Sequence, residues 1–397
     1  MKFKESRVYK WIDKRFNITP LVDYMDKKDI PLGYGNVWRC RKKLPFPDFV
    51  DLLVHRHYVW YYFGGITLFL FLVQIVTGAL LLMYYQAGEN TAYESVQFIM
   101  SKVEYGWLIR SVHSWAANLM IFTGFIHMFS VLFTKAYRAP RELTWITGAI
   151  MLILAMVEGF SGYLLPWSKL SYFAVQIGTK MMDVVPVVGD FMLQLLRGGE
   201  NVSGDTLHRF LGIHVTILPL SIVLLLALHL LFIQRQGMSE PLDAEDYMKK
   251  IKEKTGETPR MRTMKFFPNF ILRDVVVWLI VLNVLVLLAV FFPWELGEKA
   301  DPLASAPKDI RPEWFFMAMF VVLELVPKEI GITLFTIVGI IWFLIPFIDR
   351  KAKRGEKSSV MFIFGLTIFV LFVVLTIAGY LIPAETFTEF HEWIGKL

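Results

Sequence analysis

Four histidines lie inside two long apolar stretches at nearly equal separations: His113 and His127 are 14 residues apart, and His214 and His229 are 15 apart. Imidazoles deep in hydrocarbon are costly and mark a functional role. At ~1.5 Å rise per residue the pairs span about 21 and 22 Å of helix, most of a ~30 Å hydrocarbon core. Fourteen residues bring an ideal helix to within about 40° of four full turns, and fifteen carry it about 60° beyond. Each helix therefore presents both histidines on roughly one face, one near each side of a bilayer. Facing each other across two helices, they make a scaffold for two stacked bis-histidine haems, with the four imidazoles as iron ligands. The other use of such residues is plain helix–helix hydrogen bonding.

Glycines repeat the same period. Gly64 and Gly78 are 14 apart in one apolar stretch, and Gly148 and Gly162 are 14 apart in another. Small residues allow close approach, so each glycine is expected to clear the edge of a macrocycle at the depth of a histidine; ordinary helix packing is the alternative.

The elements that must position these residues are membrane helices. Apolar residues make up 55% of the chain and charged ones 19%, against about half and a quarter in soluble domains. Seven stretches are long enough to span, roughly 58–85, 107–134, 144–167, 210–233, 274–293, 331–348 and 360–382. Backbone groups in lipid must be satisfied within the segment. The expected fold class is thus an all-α integral membrane protein, a four-helix dihaem bundle followed by three further spans. Four regions follow: an N-terminal arm (1–57), the dihaem domain (58–234), a charged linker (235–273) and a three-helix domain (274–397). No cleavable signal peptide is expected.

Thirty of the 41 Lys and Arg residues fall in the arm and in the loops after the second, fourth and sixth spans. Positive residues stay inside, so the N-terminus is expected in the cytoplasm and the C-terminus outside. The net charge of +6 then reflects inner-leaflet anchoring, and nothing points to nucleic acid. Spans two and four run in the same direction, which pairs His113 with His214 near the outer face and His127 with His229 near the inner face.

The chain resembles the cytochrome b subunit of quinol–cytochrome c reductases, the cytochrome bc complexes. The resemblance rests on GGITLFLFLVQIVTG (64–78), RSVHSW (110–115), RELTWITG (141–148), GYLLPW (162–167), LLRGG (195–199), QRQGMSEPL (234–242) and PEWFF (312–316). The 15-residue spacing and the seven spans look like the branch of chloroplasts, cyanobacteria and many Gram-positive bacteria, with its two halves fused here.

The resemblance implies an outer quinol site at Pro312, Glu313, Trp314 and Phe315. A carboxylate among aromatics at a membrane edge suits quinol oxidation. Flat apolar walls hold the ring while Glu313, the catalytic residue, accepts a phenolic proton. The connection 168–206, with an amphipathic helix broken near Pro186 and Gly189, is similar to another wall of that pocket and to a docking surface for a Rieske iron–sulfur protein. The resemblance also implies an inner quinone site near Arg56, His57 and Arg235, although Gln234 replaces the first of two usual basic residues. Arg110, one turn from His113, is expected to pair with an outer-haem propionate, and Arg141 is a weaker inner candidate. Ser114 stands where relatives often carry a second basic residue. Further implications are a c-type cytochrome subunit or acceptor, a homodimeric complex, and residence in a bacterial cytoplasmic membrane.

Relatives of that branch attach an extra haem through a cysteine two residues before the GG of span one; here that residue is Tyr62. Cys40 is the only cysteine, and residues 27–50 match nothing recognisable. Two non-covalent b-type haems and no covalent third are therefore expected. The competing function classes are a dihaem anchor linking quinone to a soluble dehydrogenase, which needs no PEW loop, and a transporter or channel, which needs no paired histidines. Lys249, Lys250, Lys252 and Lys254, together with 350–357, read as solvated inner-surface charge, and His55, His208 and His391 as structural or exposed.

Overall fold

A computed structural model describes residues 6–16, 19, 29–34, 59–185, 188–237, 239, 252–253, 256, 261–265, 269–307, 310–349, 359–383 and 386. Arg56, His57, His55, Cys40, Pro186, Lys249, Lys250, Lys254, His391 and the basic stretch 350–357 lie outside the described residues.

Seven helices are long and apolar enough to cross a membrane. In order, spans one to seven are Tyr62–Leu82, Gly106–Phe133, Glu142–Leu164, Gly204–Gln236, Ile271–Phe291, Lys328–Ile348 and Val360–Leu381. Their outward faces carry large apolar side chains such as Leu224, Phe291 and Val374, all well exposed. A water-soluble protein would bury such residues, so the chain is a multi-pass membrane protein. Span one packs on span two and span three on span four.

Span four begins earlier than the apolar pattern predicts, at Gly204 rather than near 210. Its first turn is polar, and hydroxyls hold it: Ser203 N–H donates to Thr206 Oγ1 at 3.0 Å, while Thr206 Oγ1 donates to the Arg197 carbonyl at 2.7 Å. Capping of this kind satisfies helix-end groups that hydropathy does not register.

The span is also not one regular helix. Ile213–Ile217 forms a π-turn with His214 inside it. A single π-turn takes up one extra residue. The ideal-helix expectation that 15 residues leave His214 about 60° out of line with His229 is therefore corrected, because the local winding absorbs the fifteenth residue.

Three apolar clusters stack through the thickness. One gathers Trp167, Tyr172, Leu207 and Phe210; the middle one Leu70, Ala116, Met120, Ile222 and Leu285; the third Phe129, Tyr137, Trp145 and Ile345. Polar bonds fasten span six to the bundle. Trp145 Nε1 donates to the Trp342 carbonyl at 2.9 Å, and the buried Tyr137 hydroxyl donates to Asp349 Oδ2 at 2.7 Å with Lys135 Nζ 3.8 Å away.

One feature departs from an all-helical chain. Strand β1 (Asp29–Tyr34) pairs antiparallel with β2 (Met261–Lys265), Asp29 opposite Lys265 and Pro31 opposite Thr263. It joins the N-terminal arm to the linker between spans four and five. Periodicity within either segment cannot announce a partner so far along the chain, so the pairing is absent from the sequence expectation.

Candidate functional site

The four histidines converge in the expected pairs. The rings of His113 and His214 have centroids 6.3 Å apart and planes at 77°. A metal–imidazole bond is about 2 Å and each ring centre lies ~1 Å beyond its nitrogen, so two ligands across one iron need centroids about 6 Å apart. His127 and His229 lie near enough to interact electrostatically.

Each of the four glycines faces one of these rings. A Cβ at Gly78 would lie 3.3 Å from His113 Cε1, at Gly64 3.0 Å from His127 Cε1, at Gly148 3.2 Å from His229 Cε1 and at Gly162 2.5 Å from His214 Cε1. Glycine thus clears the imidazole itself. Span one makes room for the ligands of span two, and span three for those of span four.

Hydroxyls orient three of the four rings. Thr77 Oγ1 donates to the Val73 carbonyl at 2.7 Å and lies 2.8 Å from His113 Nδ1. Thr147 Oγ1 donates to the Leu143 carbonyl at 2.9 Å and lies 2.9 Å from His229 Nδ1. Ser161 Oγ donates to the Glu158 carbonyl at 3.0 Å and lies 3.2 Å from His214 Nδ1. With its own proton committed to a helix carbonyl, each hydroxyl oxygen accepts from Nδ1–H. Nε2 is left as a bare lone pair for a metal, which is how ligand histidines are oriented in general. His127 is the exception, since its buried Nδ1 has no partner among the described residues. Two imidazole pairs, a ring spacing of 6.3 Å in one of them, Nε2 left free in three rings and glycine clearance at all four fit two b-type haems.

These hydroxyls are functional residues that the sequence expectation lacks, though a signal was present. Gly78, Gly148 and Gly162 each follow a Thr or Ser, and Gly64 follows Phe63. Glu158 is missed for a simpler reason, a single acid in an otherwise apolar span; its Oε1 lies 3.3 Å from His214 Nδ1. Asp274, in the first turn of span five, is a third. Its carboxylate would meet a Cβ at Gly65 at 3.4 Å.

Arg110 is buried, but its guanidinium donates to the main-chain carbonyls of Trp294 at 2.5 Å and Glu295 at 3.3 Å. Ser111 Oγ accepts from Trp294 N–H at 3.1 Å, and Trp115 Nε1 donates to the Phe292 carbonyl at 2.8 Å. In RSVHSW, three side chains around His113 thus hold the exit of span five. Arg110 fastens the exit of span five to span two. Arg141 reaches the carbonyls of Gln236 and Gly237, both at 3.3 Å. Arg235 is exposed at the inner end of span four, and no described element brings it to the histidines.

Glu313 immediately precedes a short apolar helix, Trp314–Leu325, in the segment between spans five and six. Its carboxyl is pushed above the usual carboxylate range by burial. Tyr163 and Tyr380 lie close enough to feel its charge. Trp314 Nε1 donates to Asn118 Oδ1 at 2.9 Å, fixing the motif on span two. A Cβ at Gly159 would lie 2.9 Å from Phe315 Cζ, fixing the motif on span three. Phe316 stands edge-on to Phe160 at 6.2 Å. The arrangement sets one half-buried carboxyl among aromatic rings. Helices Lys169–Lys180 and Gly189–Arg197 lie in the connection after span three, and Gly189 opens the second of them.

Comparison with known proteins agrees with this geometry. A family model described as cytochrome b/b6/petB matches residues 49–237, and one described as cytochrome b(C-terminal)/b6/petD matches 299–395. The chain is 42% identical over 387 residues to a cytochrome bc complex cytochrome b subunit of Chlorobaculum thiosulfatiphilum, covering 95% of this chain and 82% of that protein. It is 40% identical over 237 residues to cytochrome b6 of Synechococcus sp. (strain JA-3-3Ab), which covers 60% of this chain and all of that shorter protein. Among solved structures, a chain of a hyperthermophilic respiratory Complex III superposes with a TM-score of 0.74 at 26% identity, covering 98% of this chain and 95% of its own.

Proposed function

The chain belongs to the cytochrome b family of bc-type complexes, a family of b-haem-binding electron-transport proteins, and from that premise we propose how its residues serve a quinol–cytochrome c oxidoreductase. His113 with His214 near the outer face, and His127 with His229 near the inner face, would hold two non-covalent haems. When bound, they supply one-electron redox chemistry and the path by which one of the two quinol electrons reaches the inner side. The residues fix the rest. Thr77, Thr147 and Ser161 aim Nε2 inward, and the glycines give the rings space.

Quinol binds outside against Trp314 and Phe315. Its oxidation releases two protons and two electrons. Glu313 accepts a phenolic proton and passes it to the outer water, and the other electron leaves to a Rieske iron–sulfur partner and a c-type cytochrome. Burial suits Glu313 to this role, because a raised carboxyl pKa brings a general base closer to the operating pH. Quinone is reduced inside, where Asp274 adds a carboxylate at the level of Gly65 to the candidates Arg56, His57 and Arg235. Proton release outside and uptake inside build a gradient across a bacterial cytoplasmic membrane, with the N-terminus in the cytoplasm and the complex dimeric. Tyr62 stacks on Phe270, with centroids 6.1 Å apart and planes at 3°, and a phenol forms no thioether, so no covalent third haem is held there.

The observation that carries this reading is the pairing of imidazoles at two depths with Nδ1 already engaged in three of the four rings. The second matched region, 299–395, includes the PEW segment, which favours quinol oxidation over a dihaem anchor. A reduced-minus-oxidised spectrum of the purified protein gives two b haems per chain, and a Rieske protein co-purifies. One haem or none, or a soluble dehydrogenase as the co-purifying partner, would refute it.

A further inference from the structure

Asn118 is the one carboxamide in span two, and it sits near the middle of the helix. An amide in hydrocarbon is costly unless its polar ends are bonded. Both ends are bonded here. Nδ2 donates to the Ser114 carbonyl at 3.0 Å, one turn back along the same helix, and Oδ1 accepts from Trp314 Nε1 at 2.9 Å. An indole N–H only donates and a main-chain carbonyl only accepts, so a single orientation of the amide serves both. Asn118, Phe122 and Phe125 fall at i, i+4 and i+7, one stripe of span two. The two phenyl rings lie 6.1 Å from the Trp314 ring, and Phe372 of span seven lies 6.4 Å from it. Five residues separate His113 from Asn118, about 140° of helical rotation, so this stripe is turned away from the histidine face.

We propose that Asn118 is a positioning residue for Trp314, fixing the indole as a flat wall for the quinol ring. This deepens the quinol-site reading of the PEW segment and rests on it. Apolar contact with Phe122, Phe125 and Phe372 is non-directional. The bond from Nε1 has a direction and selects one orientation of the ring. It also commits the only donor of the indole, so the wall presents apolar surface and leaves the hydroxyl chemistry to Glu313. Trp314 lies on the short helix that begins at the motif, not on a membrane span, so the bond fixes the motif itself. A wall set in place before quinol arrives contributes equally to the bound quinol and to the transition state. Such an interaction is read in KM and leaves kcat nearly alone.

The test is steady-state quinol oxidation by the membrane-bound complex, with haem content read from the difference spectrum. Asn118→Leu nearly keeps the side-chain volume and removes both amide groups. The quinol KM rises about tenfold, the size expected when a buried donor loses its acceptor, with little change in kcat and none in haem content. Asn118→Ala behaves in the same way. In Trp314→Phe, which has no N–H, Asn118→Leu adds nothing further to KM, because the whole effect passes through the indole. An unchanged KM in both Asn118 variants overturns the proposal. So does an equal effect in the Trp314→Phe background, a fall in kcat with KM unmoved, or loss of haem from both variants. Glu313→Gln is measured alongside. If Glu313→Gln and Trp314→Phe both leave quinol oxidation unchanged, the quinol-site reading itself has failed. If either impairs it while the Asn118 variants change nothing, only the role of Asn118 has failed.

Discussion

The two histidine levels are built from one repeat and supported unequally. At the outer level both rings have an acceptor behind Nδ1, from Thr77 and from Ser161. Glu158 adds a carboxylate, and Arg110, Ser111 and Trp115 clamp the neighbouring segment 292–295. At the inner level Thr147 holds His229, but His127 Nδ1 is buried and unpartnered among the described residues. The cause is one side chain. Fourteen residues before Thr77, in the same helical register, stands Phe63, which has no hydroxyl to offer. A helical period can duplicate a ligand position, but each copy acquires its own support from its neighbours.

The largest effect that could break this comparison is loss of a whole cofactor. His113→Leu or His214→Leu is expected to remove the outer haem and spare at least part of the inner one; His127→Leu or His229→Leu does the converse. Haem-to-protein ratios and difference spectra check this, and four single variants that all keep two haems would dismiss the two-level scheme.

Next is Glu313, which belongs to the outer level alone. Glu313→Gln keeps haem content and slows quinol oxidation by roughly 10²-fold. Because burial raises the Glu313 pKa, its proton-accepting form appears only at higher pH than for an ordinary carboxylate. The acid limb of turnover therefore sits above the usual Glu range and disappears in Gln. An acid limb at the ordinary position, or one that survives the substitution, removes Glu313 from proton transfer.

A smaller effect is expected from the hydroxyls. Thr77→Val weakens retention of the outer haem, and Thr147→Val that of the inner one, each by about 10- to 100-fold, read as haem loss to apomyoglobin over time. Equal loss of both haems in either variant would mean the hydroxyls act on the bundle as a whole.

The smallest expected effect runs the other way. Phe63→Thr offers His127 the acceptor that the other three ligands have. A hydrogen bond is worth about 1 kcal/mol, so inner-haem release slows about fivefold while the outer haem is unchanged. Faster inner-haem release would show that Phe63 matters more as packing than as a missing hydroxyl.

Much of the site was legible because helical period and hydropathy are properties of contiguous sequence. The number and order of the spans, the depth order of the histidines and the glycine period all follow from counting along a helix. The hydroxyl before three of the glycines was equally visible, but Thr and Ser are common enough in membrane helices that only the distance to Nδ1 distinguishes them. Arg110 carries contacts that spacing cannot show, since its donors go to carbonyls more than 180 residues away.

By itself the sequence determined that this chain crosses a membrane as helices, that four imidazoles occupy two depths and that a carboxyl lies among aromatics. These follow from local composition and the 3.6-residue turn. Only the tertiary structure decided that a π-turn at Ile213–Ile217 brings His214 into register despite the extra residue, that each glycine faces an imidazole, and that β1 meets β2. Winding defects and long-range contacts are selected by packing against neighbours, and no local pattern encodes the neighbour.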